Sequence, residues 1–277
     1  MTFWLVMLGG VVRGQYAVVS ISRFRRRHLH ALAGLADDAP DNNLRQTCID
    51  VLCAYLRLRY SPDPGEGPAH LEEHHHYLAL REVRHTILRL IGDHYRRPQG
   101  THGSWQGCDL DLTGVTIDGD MDFRGAVFSG GTVHFYEAVF SGGEVSFDGA
   151  EFSGGTVSFI GAEFSGGEVS FDGAEFSGGT VSIRRAVFSG GEVSFVSAVF
   201  SGGEVPFYEA VFSGGTVDFV SAEFSDGTVD FDEAVFSGGT VDFVSATGQA
   251  PRGLLAAVGT PALAGVALPP SWLPFVP

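Results

Sequence analysis

One twelve-residue unit recurs ten times between Ala126 and Ser245, and nothing else in the chain limits its folding as severely. The copies run AVFSGGTVHFYE, AVFSGGEVSFDG, AEFSGGTVSFIG and onward to AVFSGGTVDFVS. Alanine opens every copy (Ala126, Ala138, Ala150, through to Ala234), and phenylalanine takes the third place in all ten, from Phe128 to Phe236. Valine holds the eighth place (Val133 to Val241). A second phenylalanine holds the tenth (Phe135 to Phe243), with Ile183 as the exception. Ser-Gly-Gly lies between these pieces, broken where Asp226 replaces one glycine.

Ala-x-Phe and Val-x-Phe carry apolar groups at i and i+2, so both side chains point to one face of a short strand. Ser-Gly-Gly-Thr/Glu and a two-residue polar step separate them, and both suit turns. A helix is excluded by glycine, 39 of 277 residues, since each costs about 1 kcal/mol in a helix interior. So short a strand cannot bury its own face. Copies must stack, Phe over Phe and Ala over Ala, with backbone hydrogen bonds between neighbouring coils. Each buried Phe contributes about 2–3 kcal/mol, offset by the entropy of ordering the chain. A coiled β-solenoid satisfies the pattern.

The stretch that enters the array parses into fives: Leu110-Asp-Leu112-Thr-Gly114, Val115-Thr-Ile117-Asp-Gly119 and, after Asp120, Met121-Asp-Phe123-Arg-Gly125. The chain here resembles the pentapeptide-repeat family, whose unit is a small residue, a polar one, a central Leu or Phe, then two outward residues. The later copies fit as two such fives plus two residues. Segments 45–58 (RQTCIDVLCAYLRL) and 81–94 (REVRHTILRLIGDH) are similar to the helical part that precedes the repeats in actinobacterial members. The resemblance covers residues 44–245. It implies an α+β chain, an N-terminal α-helical region followed by a right-handed β-helix, and says little about activity. The twelve-residue period departs from the family's coil. Two copies per turn would give four walls and about five coils. One copy per turn would give a flat, two-walled coil and about ten. The corner that a two-residue step makes in the family favours four walls.

Charge divides the chain. Residues 1–100 hold 13 Arg and 10 acids, net +3, whereas residues 101–277 hold 4 Arg and 23 acids, net −19, for a total of −16 with no lysine. Such an acidic balance argues against direct nucleic-acid or anionic-membrane binding. Three cysteines argue against a disulfide scaffold. The ten repeats alone carry 18 acids and two arginines. Stacked as five coils about 4.8 Å apart they would hold about one charge per 1.5 Å, against about one per 1.7 Å for duplex DNA. Some members of the family protect DNA gyrase as DNA mimics, so the resemblance makes that an alternative to carboxylates that simply keep a β rod soluble.

The front part reads as helices. Asp41, Asn42 and Asn43 are N-cap candidates, and Leu44, Cys48, Val51, Leu52 and Tyr55 then recur at helical spacing to about Arg59. A second helix is expected from His70 to Arg96, with Leu80, Val83, Ile87, Leu90 and Ile91 inward and Arg81, Arg84 and Arg89 on a solvated side. Before them, Phe3 to Val12 form an apolar run of ten. That is half the length of a span and lacks a signal-peptide cleavage site. The membrane alternative is an anchor through residues 3–22, flanked by Arg23, Arg25, Arg26 and Arg27. The tail from Thr247 to Pro277 is apolar (Leu254, Leu255, Leu263, Trp272, Leu273, Phe275). It is expected to cover the last coil, with pairing of two molecules as its second use. The expected regions are therefore 1–43 without assignment, 44–100 helical and capping, 108–246 solenoid, and 247–277 tail.

Few residues tempt a chemist. His70 and His74 share a helix face with His75 and His76 nearby, but Leu71 stands where a metalloprotease needs glutamate, so an exposed polar run is expected. Cys48 and Cys53 diverge by about 140° on a helix and read as buried small residues. Asp218, Asp230 and Asp242 occupy one repeat position and could form an acidic ladder, though the calcium-binding nonapeptide is absent. Thr132, Thr156, Thr180, Thr216, Thr228 and Thr240 alternate irregularly with Glu, which spoils a flat ice-binding array. Pro206 should disturb one coil. No catalytic, cofactor or metal residues are expected. The reading is a non-enzymatic scaffold or protein-interaction module of a bacterial cytoplasm.

Overall fold

The computed structural model describes residues 27–58, 63–65, 67, 69–259 and 262–273. The apolar run at 3–22 lies outside them, as do Arg23, Arg25 and Arg26. A helix over 27–37 (α1) precedes α2 (Asn42–Leu56) and α3 (Leu71–Tyr95). Parallel strands of two to eight residues then follow one another from Leu110 to Gly248. The chain is thus α+β, helices first and β-solenoid after.

The register settles the coil. Thr132 pairs with Thr156, Thr156 with Thr180 and Val139 with Glu163, each 24 residues on. Two copies therefore make one turn, and the flat twelve-residue coil is excluded. Each turn lays down four short strands. Odd-numbered copies supply those of the 151–152 and 156–158 type, even-numbered copies those of the 139–140 and 144–146 type. We call the resulting stacks wall A (Thr132–His134 and its equivalents), wall B (Val139–Phe140), wall C (Glu144–Ser146) and wall D (Glu151–Phe152). Walls B and C belong to one sheet that bends at Ser-Gly-Gly, where the pairing register shifts.

All inward side chains of the repeats pack into a solid interior. Phenylalanines form four columns, as in Phe128–Phe152–Phe176–Phe200–Phe224 and Phe147–Phe171–Phe195–Phe219–Phe243, with ring centroids 4.6–4.9 Å apart and planes within 9° of parallel. That spacing is imposed by backbone pairing between parallel strands, and the rings adopt it because neighbouring columns meet edge-on (Phe135 against Phe147, 88°). Ile183 interrupts one column and is buried like the rings it replaces.

The glycine pairs follow from this stacking. Gly167 sits at φ +71°, and a Cβ there would lie 2.6 Å from the Gly143 carbonyl oxygen of the coil below. At Asp226 the turn rearranges. The Phe200 carbonyl, which elsewhere would accept from the first glycine as Phe176 does from Gly202, accepts from Gly227 instead. Pro206 has the expected effect. Pairing between its strand and the one below contracts to Thr180 with Glu204, while the neighbouring rung joins three residue pairs, because proline has no N–H to donate.

Both ends of the rod carry aromatic contacts. At the first coil Gly92 of α3 lies against Asp122, with no room for a Cβ (2.7 Å to the carbonyl oxygen), and Tyr95 packs on Phe123 and Phe128 at 5.6 and 5.7 Å. At the last coil Gly248 stands where the column would need another Phe. Trp272 returns over the gap, 5.6 Å from both Phe224 and Phe243, its indole N–H donating to the Gly248 carbonyl at 2.9 Å. The tail reaches it through α4 (Leu254–Val258) and a strand at Val266–Ala267 that pairs with Val241–Asp242.

The helices differ from expectation in which faces they bury. Arg84, expected on the solvated side, is 3% exposed. Helix α3 packs on both α2 and the first coil, and the guanidinium donates to the Leu56 carbonyl at the end of α2 (2.5 Å) and to the Thr116 carbonyl of the first coil (2.7 Å). In α2 the buried face is Cys48, Ile49, Leu52, Cys53 and Leu56, leaving Leu44 and Val51 exposed. Asp41 caps α2, its carboxylate accepting from the Leu44 N–H at 2.8 Å.

Candidate interaction surface

A coil of 24 residues sends odd and even copies to different walls, and this sorts the outward residues by chemistry. At the seventh place of the unit, wall A carries Thr132, Thr156, Thr180, Glu204 and Thr228, whereas wall C carries Glu144, Glu168, Glu192, Thr216 and Thr240. The Thr/Glu alternation expected to be irregular is thus partly sorted between walls, four Thr and one Glu on wall A against three Glu and two Thr on wall C. Reading alternate copies would have exposed it, but the coil size had to be known first. Wall B is aliphatic apart from one carboxylate (Val139, Glu163, Val187, Val211, Val235). Wall D carries Glu151, Glu175 and Glu223 among valines.

The corner after wall C continues the pattern. Its column reads Asp148, Asp172, Val196, Val220 and Val244. On this side the carboxylates lie toward the helices and the valines toward the C-terminal end. Asp148 and Asp172 accept from the Ser170 and Ser194 hydroxyls of the next coil. Burial and the surrounding Glu144, Glu192, Asp148 and Asp172 hold the Glu168 carboxyl above its ordinary range. Among the described residues no ion pair engages Glu144, Glu168 or Glu192.

The acidic ladder expected from Asp218, Asp230 and Asp242 divides. Asp218 and Asp242 are stacked neighbours on wall C, where burial and then the charge of Asp242 raise the Asp218 carboxyl. Their carboxylates accept from the Val220 and Val244 N–H groups, both at 2.7 Å. Asp230 is on wall A, paired with Pro206 and, at the last turn, Arg252. A position twelve residues away is on the opposite side of a 24-residue coil.

The histidine run is not uniformly exposed. His74 is buried, its Nδ1 2.7 Å from Asp63, while His70 meets Glu73 at 3.1 Å. Among the described residues no group of three or more His, Cys, Asp or Glu is arranged to hold a metal ion. Cys48 and Cys53 are buried, and burial pushes the Cys53 thiol up to about 12, which keeps it protonated and inert. No helix among the described residues is long and apolar enough to cross a membrane.

A family model described as pentapeptide repeats, in nine copies, matches residues 142–181. With the stacked parallel coils that surround those residues, the match decides the family. The chain is a pentapeptide-repeat protein. No curated protein and no solved structure matches it. A pentapeptide-repeat β-solenoid is a repeat scaffold or interaction module, and in this one the sorted walls are the variable part of a constant rod.

Proposed function

We propose that this pentapeptide-repeat protein is a non-enzymatic scaffold of the bacterial cytoplasm that holds a protein partner on the outside of its solenoid. The observation that carries this is the division of labour within the repeat. Alanine, valine and phenylalanine are consumed by the core at nearly every copy, while the outward second, seventh and eleventh places vary. Residues 44–100 and 247–277 act as caps in this reading, supported by Tyr95 on the first coil and Trp272 on the last. Affinity capture with the native chain, followed by cross-linking at wall residues, tests it. A specific protein partner cross-linked to a wall supports the scaffold, and contacts confined to the helices count against it.

The DNA-mimic alternative draws on the charge, since net −16 over 120 residues at this coil spacing is about one charge per 1.5 Å. The sorted walls weigh against it, because duplex phosphates are evenly spaced and wall B has Glu163 alone. Inhibition of gyrase supercoiling by micromolar protein would favour the mimic. Anchoring through residues 3–22 would instead send the protein to the membrane pellet on cell fractionation, and a C-terminal homodimer would appear in its mass by light scattering.

A further inference from the structure

An aspartate followed by glycine is open to isomerisation of the main chain, because the glycine nitrogen can reach the aspartate carboxyl with no Cβ in the way. The chain holds four such pairs, Asp118–Gly119, Asp148–Gly149, Asp172–Gly173 and Asp226–Gly227. Three of them are locked. The Asp118 carboxylate accepts from Arg81 at 2.9 Å and lies 3.2 Å from His85. The His85 ring also covers Gly119, so closely that a Cβ there would sit 2.6 Å from it. Asp148 and Asp172 accept from the Ser170 and Ser194 hydroxyls. The glycines after them donate to the next coil, Gly149 to the Asp172 carbonyl and Gly173 to the Val196 carbonyl, both at 2.8 Å.

The fourth pair differs in each respect. Asp226 is exposed, and among the described residues no hydrogen bond or ion pair holds its carboxylate. It replaces the first glycine of its turn, and Gly227 lacks the positive φ, +66° to +76°, that the second glycine keeps in the nine other copies. The Gly227 N–H reaches the Phe200 carbonyl at 3.2 Å, a longer bond than those at Gly149 and Gly173. We propose that Asp226 is a modification site, converted to isoaspartate by the nitrogen of its own neighbour. The Gly227 nitrogen bonds to the side-chain carboxyl carbon of Asp226. The carboxyl hydroxyl leaves with the amide hydrogen as water, which closes a succinimide. Water then adds at the main-chain carbonyl carbon and breaks its bond to nitrogen. The chain now runs through the side-chain carbon, and overall no atom is gained or lost. The path between walls D and A is longer by one carbon. Thr228–Asp230 begins directly after it, pairs with Glu204–Pro206 below and meets Arg252 of the tail above, so the last coil and its cap loosen at this turn. The product carries a free α-carboxylate beside a β-linked peptide bond, the substrate class of isoaspartyl methyl transfer.

The test ages the full chain at neutral pH in the warm. Isoaspartate is located by peptide mapping with electron-transfer fragmentation. It is counted by methyl transfer from S-adenosylmethionine with an isoaspartyl methyltransferase. At least tenfold more is expected at Asp226 than at Asp118, Asp148 or Asp172. D226G restores the turn of the other copies and should lose nearly all methyl acceptance, with circular dichroism confirming its fold. In urea the preference for Asp226 should vanish, since the folded chain is what locks the other three. Isoaspartate spread evenly over the four pairs of the folded chain, its absence from Asp226, or a preference that persists in urea would overturn the proposal.

Discussion

Two glycines at successive corners of one copy separate conformational strain from steric exclusion. Gly167 and Gly173 both lie at positive φ, +71° and +61°, but a Cβ at Gly167 would strike the coil below and one at Gly173 would meet nothing within 4 Å. Gly173→Ala should therefore cost only the left-handed penalty, about 1–2 kcal/mol. Gly167→Ala must also spread two coils and should cost clearly more, with loss of cooperative unfolding as the extreme. Chemical denaturation of the two variants checks this, and equal costs would contradict the stacked geometry. The turn at Gly173 already tolerates side chains elsewhere, since Ser197, Ser221 and Glu233 hold positive φ at its equivalents. Inside, Phe171 stacks on Phe147 and Phe195 at 4.8 Å. Phe171→Ala should cost about 3–5 kcal/mol, measured in the same way.

At the scale of the element, the walls are ladders whose faults are local. Pro206→Ser restores the N–H that wall A lacks between Thr180–Ser182 and the rung above. It should stabilise by about 1 kcal/mol and slow amide exchange in those two rungs alone. On wall C burial, and then the like charges around it, raise the Glu168 carboxyl above the ordinary 4.5. A group whose folded-state value is raised stabilises the fold when protonated, and that contribution is lost as pH rises through the raised value. Glu168→Gln should therefore raise the melting temperature at pH 7 by removing a partly buried charge and its repulsion. Its advantage should shrink as pH falls to about 4.5 and below. An advantage independent of pH would show that the carboxylate charge is not the cause. Asp122 works in the opposite sense, held low by its hydrogen bond from Arg124, and its stabilisation fades as pH falls through that lowered value.

For the molecule as a whole, the repeat made the solenoid and its phenylalanine core legible, because inward residues at i and i+2 leave no other way to be buried. What one copy cannot reveal is which copy lies above it. Asp230 looks like a neighbour of Asp218 along the chain and is placed on another wall by a 24-residue coil. Arg84 departs from the expected solvated side for a related reason: helical periodicity shows one apolar stripe, but α3 is covered on two sides and the Arg84 guanidinium bridges two backbone carbonyls. The sorted walls share this dependence, since Thr132 and Glu144 differ in meaning only when alternate copies stack. The period of stacking is thus the quantity from which both the fold and the candidate surface descend.

Engineered cysteines measure that period directly in a chain freed of Cys48, Cys53 and Cys108. Glu151 and Glu175 are Cα partners on adjacent rungs of wall D, while Glu163 belongs to wall B. Strand neighbours about 4.8 Å apart fall within disulfide range. On mild oxidation E151C with E175C should close a disulfide, and E151C with E163C should stay reduced. The reverse outcome, with the pair twelve residues apart cross-linking and the pair 24 apart remaining open, would contradict the four-walled coil.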